Sequence, residues 1–306
     1  MDQRKAKYEN DKLMKRLRHC VGQAIGDYQM IEDGDLVMVC MSGGKDSYAM
    51  LDILQCLREK APVRFDLLAV HLDGGIPGYP DGLMENYLKD KGIPYRIVRE
   101  PVFSIVKEKI PSGRNVCSLC SRLRRGILYR TATETGASKI ALGHHREDLL
   151  ETFLLNLFHT GQLKSMPPKL LTDDRKHVVI RPLAYCAEKD LIRLAQIREY
   201  PLISGDLCRF SANKQRGVIK EMLRQWERQQ PGRTEIMARA LANVKTSHLL
   251  DRSVYPFTKL QTDDSPSLTG ETRKDAEEEE TTSSWTAAGV QMDRSADLSP
   301  DLSADQ

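Results

Sequence analysis

Ser42-Gly43-Gly44-Lys45-Asp46-Ser47 puts two glycines, an ammonium, a carboxylate and two hydroxyls between the apolar run Leu36–Met41 and the helix-patterned segment Tyr48–Leu54. Together these residue types can bind a polyanion, and phosphate is the natural guest. Adjacent glycines reach positive φ without steric cost and turn backbone N–H groups toward one point, while a helix start adds unpaired donors and the positive end of a dipole. Lys45 and Ser47 can then reach phosphate oxygens. Asp46 can orient the loop or hold Mg²⁺ through water, an ion that takes only one or two protein carboxylates beside phosphates. A tight turn with Ser47 as a simple N-cap is the plainer alternative. The order G-x-x-x-x-G-K-[ST] is absent, so this is not a Walker loop.

Two more polar groups end apolar runs. Asp73 follows Leu67–Leu72 and precedes Gly74 and Gly75, so it either faces the same crevice or makes the turn. Gly143-His144-His145-Arg146-Glu147-Asp148 follows Lys139–Leu142. Gly143 permits close backbone approach, and His144 and Asp148, at i and i+4, would share one helical face toward a nucleotide. A histidine pair capping a helix is the alternative, and zinc held by His144 and His145 is disfavoured because adjacent residues point to different faces.

Seven cysteines, at 20, 40, 56, 117, 120, 186 and 208, argue by their odd number against a disulfide framework. Cys40 and Cys56 sit in apolar patterns and read as core; Cys20 and Cys186 have no partner by spacing. Cys117-Ser118-Leu119-Cys120 is a C-x-x-C, and Cys208 follows 88 residues after it with glycine, Gly205, where a second pair would need cysteine. Three thiolates suit a 4Fe-4S cluster that leaves one iron without a protein ligand. Structural zinc with a histidine or carboxylate as fourth ligand, and a redox pair, are the competing readings. Arg122, Arg124, Arg125 and Arg130 crowd the stretch after Cys120, and Lys214, Arg216 and Lys220 form a second basic stripe, both suited to RNA phosphates.

The elements that must position these groups alternate. Strands are expected at Leu36–Met41, Leu67–Leu72, Tyr95–Val98, Lys139–Leu142 and Val178–Ile180, separated by helices at 47–59, 81–91, 118–135 and 145–159, with later helices at 187–198, 212–229 and 232–248. That order predicts an α/β fold, a parallel sheet with helices on both faces and its functional loops at the carboxyl ends of the strands. Leu13, Leu17, Val21 and Ile25 mark an amphipathic N-terminal helix, and 161–176, with Gly161 and Pro167-Pro168, reads as a long surface loop and possible lid. The expected organisation is an N-terminal helical segment over 1–30, a nucleotide-binding α/β domain over 31–210, C-terminal helices over 211–258 and a disordered acidic tail over 259–306.

Charge follows that division. Of the chain's 306 residues, 261–306 carry twelve acidic groups against three basic ones, a net of −9, which leaves +12 on the body and points to a polyanionic partner such as nucleic acid. Hydrophobic residues make up 40% of the chain, enough for a real core, with no apolar run near 18 residues and no signal-peptide pattern over Met1–Lys7; a cytoplasmic protein without membrane contact is expected.

The first motif resembles the PP-loop, S-G-G-x-D-S, of ATP pyrophosphatases. With G-H-H-x-x-D, C-S-L-C-S-R-L-R-R-G and the solitary Cys208, residues 8–258 resemble the tRNA-cytidine(32) 2-sulfurtransferases. The resemblance implies ATP held by Ser42–Ser47, a 4Fe-4S cluster on Cys117, Cys120 and Cys208, Mg²⁺, and a homodimer. It further implies sulfur transfer to C2 of cytidine 32 in tRNA, with a cysteine desulfurase as source. Around Cys208 the family commonly reads C-N-L-C-G-S-Q, whereas this chain has Gly205-Asp206-Leu207-Cys208-Arg209-Phe210-Ser211. An adenylating ligase of the lysidine synthetase type, and a zinc-stabilised RNA-binding module without catalysis, are the alternatives; neither requires three thiolates on iron.

Overall fold

The computed structural model describes residues 3–110, 117–203 and 214–261. Strands β1 (Asp35–Met41), β2 (Phe65–Asp73), β3 (Tyr95–Arg99), β4 (Lys139–Ala141), β5 (Lys169–Leu171) and β6 (Val178–Ile180) form one sheet in the order β3-β2-β1-β4-β6-β5. All neighbours are parallel except β5, which runs antiparallel to β6 at the edge.

Helices α1 (Gln3–Asp27), α2 (Lys45–Arg58), α3 (Leu83–Asp90), α4 (Val102–Lys109), α5 (Cys117–Thr135), α6 (Arg146–His159), α7 (Glu188–Arg198), α8 (Lys214–Gln229) and α9 (Arg233–Ala240) complete the described elements. Because successive strand residues point to opposite faces, β1 feeds two cores at once. Val37, Val39 and Met41 enter the larger one with Tyr48, Leu51 and Leu54 of α2, while Met38 enters a second with Val70, Ile140 and Ala132 of α5. A strand buried on both faces is apolar throughout, which is why its sequence shows a run rather than an alternation.

The amphipathic pattern of α1 is realised with one shift of face. Leu13, Leu17, Val21 and Ala24 are buried against α2 and α7, and Ile25 is only half-buried, since four-residue steps drift off the 3.6-residue period and a three-residue step restores it.

Three elements depart from expectation. Residues 161–176 contain β5, paired Lys169↔Ile180, Leu170↔Val179 and Leu171↔Val178, where a loop was expected. Its hairpin turn closes through Thr172 Oγ1 donating to Asp174 Oδ1 (2.6 Å) and through Arg175 at φ +58°. Three residues are too few to display alternation, and Leu170 and Leu171 are both exposed. Helix α4 lay in a stretch with no predicted element, although Val102 and Val106, one turn apart, bury its inner face. The final helical pattern is shorter than 232–248, ending at Ala240. A second unit begins at Lys245, with single 3-10 turns at Thr246–His248 and Phe257–Lys259. No described helix is long and apolar enough to cross a membrane. The acidic tail beyond residue 261 lies outside the described residues.

Candidate active site

β1 and β4 are adjacent parallel strands whose following chains diverge, β1 into α2 and β4 into α6, so a crevice opens at their carboxyl ends. Ser42–Ser47 leaves β1 and Gly143–Asp148 leaves β4 into that crevice. Gly44, not Ser47, is the N-cap of α2, and no side chain caps the helix, which leaves the N–H groups at its start, ahead of the Ser47 N–H that bonds the Gly44 carbonyl (3.1 Å), without a side-chain cap. Ser47 lies inside the first turn, where its Oγ donates to the Gly44 carbonyl (2.8 Å) and accepts from the Ser42 N–H (3.2 Å). The simple N-cap reading of Ser47 is therefore replaced by a hydroxyl that cross-links the loop.

Two glycines are required by geometry. Gly43 has φ +83°, and a Cβ there would stand 2.6 Å from Ile203 Cδ1, while the Ile203 N–H donates to the Gly43 carbonyl (3.0 Å). A Cβ on Gly143 would lie 3.2 Å from the Asp46 carbonyl carbon and 3.3 Å from the Ser47 nitrogen. The close approach expected of Gly143 is thus made to the backbone of the PP-loop helix. Beneath the loop, buried His71 holds the Met41 carbonyl at 2.8 Å through Nδ1. A carbonyl only accepts, so Nδ1 carries the proton and Nε2 accepts from the Tyr79 hydroxyl (2.8 Å). Burial pulls the His71 pKa down, which favours this neutral form. The sequence reading missed this brace, since a histidine inside an apolar run carries no local signal.

His144 and Asp148 do not share a helical face, because α6 starts only at Arg146 with His145 as its N-cap. Asp148 sits at the third helical position and its Oδ2 accepts from the His145 N–H (3.1 Å), a reciprocal capping box. His144, one residue outside the cap, accepts from Arg181 Nε through Nδ1 (3.3 Å). Burial, then Arg181, pushes its pKa down to about 4. Its neighbour moves the other way: burial opposes charge on His145, but Glu147, Asp148 and Asp46 outweigh it and raise the pKa. The capping alternative describes His145, whereas His144 is a neutral acceptor for a buried arginine.

Charged side chains converge beside the loop. Glu188, the first residue of α7, accepts on Oε1 from Lys45 Nζ (3.2 Å) and Lys220 Nζ (2.7 Å), with His145 Nε2 at 3.8 Å from the same oxygen. Its N–H donates to Glu147 Oε2 (2.7 Å). Glu147 is itself held down to about 2, its burial being outweighed by His145 and Arg146. Lys45 also donates to Asp46 Oδ2 (3.0 Å), while Asp46 Oδ1 is buried without a hydrogen-bond partner. Burial and the neighbouring Asp148 raise the pKa of Glu151, one helical turn further along α6. Glu188 went unnoticed in the sequence because it belongs to no motif and lies 143 residues from Lys45. Arg216 and Lys220, assigned to a basic stripe, turn inward: Arg216 donates to Thr152 Oγ1 (3.3 Å) and Lys220 reaches Glu188.

Asp73 makes the turn. Its Oδ1 accepts from the Gly75 N–H (3.0 Å), and with Arg99, Glu100 and Pro101 it lines an open cleft of about 290 Å³ at the carboxyl ends of β2 and β3. Cys117 and Cys120 occupy the first turn of α5, both half-buried, with Cys120, Leu119 and Leu123 against Val102 and Val106 of α4. Cys208 lies outside the described residues. Cys40 is core as expected, burial pushing its thiol up to about 12. Cys20 and Cys186, unrelated by spacing, are partners in space: a hydrogen bond to Cys186 lowers the Cys20 pKa to about 7.

Comparison with known proteins agrees with this geometry. The family model for the PP-loop domain matches residues 11–225. The tRNA-cytidine(32) 2-sulfurtransferase of Tolumonas auensis is 59% identical over 84% of this chain and 85% of its own length, and that of Chromobacterium violaceum is 56% identical over 90% and 86%. Among solved structures, the U34-tRNA thiolase NcsA from Methanococcus maripaludis with its [4Fe-4S] cluster shares the fold at a TM-score of 0.63 and 23% identity, over 78% of this chain and 80% of that one. The chain is a transferase and belongs to the PP-loop family of tRNA-cytidine(32) 2-sulfurtransferases.

Proposed function

We propose that the protein thiolates C2 of cytidine 32 in tRNA at the expense of ATP. The observation that carries this reading is the crevice between β1 and β4. There, uncapped helix donors, Lys45 and a partnerless Asp46 oxygen converge, in a chain whose relatives bear the name tRNA-cytidine(32) 2-sulfurtransferase. A buried carboxylate oxygen lacking a partner suits Mg²⁺ bound directly or through water, and the loop donors suit the triphosphate of ATP. The cytidine C2 oxygen attacks the α-phosphorus, the bond from that phosphorus to the α,β-bridging oxygen breaks, and pyrophosphate leaves with the electron pair. Lys45 and the α2 N-terminus offset its developing charge. A sulfur nucleophile at the oxidation level of sulfide then adds at C2, and AMP departs with the original oxygen, so the exchange needs no net redox.

Two thiols in one helical turn, half-buried beside an apolar cluster, fit a soft metal. With Cys208 they would hold a 4Fe-4S cluster, which supplies an iron free of protein ligands to carry sulfur. Arg122, Arg124 and Arg125, exposed on α5 next to these thiols, suit tRNA phosphates. The family resemblance adds a cysteine desulfurase as sulfur source, a homodimer and a cytoplasmic setting.

Anaerobic purification followed by absorption spectroscopy and iron, sulfide and zinc analysis tests the metal: about four irons per chain are expected, and one zinc without visible absorbance would sink the cluster. Mass spectrometry of tRNA nucleosides tests the product. Cys208→Ala should lose 2-thiocytidine while tRNA binding persists, and unchanged thiolation would refute its role.

A further inference from the structure

The most unusual contact beside the PP-loop is a single carboxylate oxygen shared by two lysines. Glu188 Oε1 lies 3.2 Å from Lys45 Nζ and 2.7 Å from Lys220 Nζ, with His145 Nε2 at 3.8 Å. All three groups are drawn to the one oxygen from different elements, α2, α8 and the N-cap of α6. The Glu188 side chain is only 13% exposed, so the contact lies within the crevice wall rather than on the outer surface. Two donors that reach one oxygen stand within about 6 Å of each other, a span that one phosphate group bridges with ordinary charge-assisted hydrogen bonds.

We propose that Glu188 stands in for a phosphate oxygen when no nucleotide is bound. On this view Lys220 joins Lys45 as a second lysine of the pyrophosphate subsite, taking the β- or γ-phosphate of ATP when Glu188 releases it. The inference rests on reading Ser42–Ser47 as the ATP site and adds a residue from α8, outside every motif of the crevice. Charge supports it. Two ammonium groups, Asp46 and Glu188 balance one another, so both lysines have a carboxylate partner at the site. A triphosphate offers both lysines more charge and more acceptor oxygens than one carboxylate can. Position supports it as well: Lys220 is held toward the crevice because α8 lies on α6 through Ile219 and Leu223 against Leu150 and Leu154. It also lies only twelve residues after Cys208 in sequence, so the chain segment proposed to bind the cluster leads directly into a helix that senses the nucleotide.

Isothermal titration of the full chain with inorganic pyrophosphate, α,β-methylene ATP and AMP tests the proposal. Lys220→Ala is expected to weaken pyrophosphate and α,β-methylene ATP by about 10- to 100-fold, the worth of a charge-assisted hydrogen bond, with AMP unaffected and Lys220→Arg recovering part of the loss. Glu188→Gln, which removes the competing anion at nearly constant shape, should tighten pyrophosphate binding. Arg224→Ala, on the same helix and paired with Glu221, is the control and should change nothing. Pyrophosphate bound equally by wild type and Lys220→Ala would overturn the proposal and leave the PP-loop reading standing. Weakening by Glu188→Gln would overturn the stand-in role. Wild-type protein that binds neither pyrophosphate nor α,β-methylene ATP would sink both readings together.

Discussion

The proposed phosphate half and the proposed sulfur half of this protein are assembled by different means. Ser42–Ser47 is fixed by protein alone: Ile203 ties Gly43 from outside, Gly143 presses on the Asp46–Ser47 backbone, and His71 braces Met41 from below. Cys117 and Cys120 come from one turn of one helix, and among the described residues the apolar cluster beside them has two buried side chains, Val102 and Val106. The third thiol proposed as a ligand, Cys208, follows Cys120 by 88 residues in sequence. Preorganised dipoles accelerate a reaction because they need not reorganise when charge develops, so the activating site must be finished before ATP binds. A metal site gains its order from ligation, and its binding energy is part of its folding energy.

That contrast predicts separable failures. The largest effect belongs to the thiols: Cys120→Ala should remove iron and reduce 2-thiocytidine in tRNA to background, while affinity for α,β-methylene ATP stays within about twofold, because Cys120 packs on α4 and not on the Ser42–Ser47 loop. Loss of nucleotide affinity in the same variant would show that the halves fold as one. Oxidative removal of iron from the wild-type protein is the milder version, and reconstitution with iron and sulfide should restore thiolation. The reverse perturbation is Gly143→Ala. Its Cβ would meet the Asp46 carbonyl carbon at 3.2 Å, and the overpacking costs about 1–3 kcal/mol. Nucleotide affinity should fall about tenfold with iron content unchanged, read by titration and metal analysis on one preparation. Equal affinity would mean that the loop yields without consequence.

The same contrast explains what was legible in the sequence. The PP-loop, the strand before it and the helix after it are continuous in the chain, so their periods and glycines declare them. Glu188 reaches Lys45 across 143 residues, His71 reaches Met41 across 30 and Arg181 reaches His144 across 37; none carries a motif, and the folded topology brings them together. His144 and Asp148 were misplaced by a single residue of helix boundary, because a residue before the N-cap and a first-turn residue point differently although their spacing in sequence is the same. Strand β5 was missed because three residues show no period. The C-x-x-C was legible as chemistry, yet its support by Val102 and Val106 of α4 was not, for that helix had no predicted counterpart.

The smallest expected effect separates two adjacent histidines within the phosphate half. His144 has its folded pKa pushed down to about 4 by burial and then by Arg181, below the ordinary value of 6.5. A group depressed in the folded state binds protons first in the unfolded chain, so its contribution is complete above pH 6.5 and is lost as pH falls toward 4. His145 is raised, so its contribution is complete below 6.5 and is lost as pH rises through its folded value. His144→Asn keeps an acceptor for Arg181 Nε but cannot titrate, so its urea midpoint should fall less than that of wild type between pH 6.5 and 4. The alkaline limb, to which His145 contributes, should be the same in both. If instead the two proteins lose stability in parallel on the acid side, His144 titrates in the folded protein as it does in the unfolded chain. Arg181 would then have a different acceptor, and the wall of the crevice contributed by β4 would be looser than the tight approach of Gly143 to Asp46 requires.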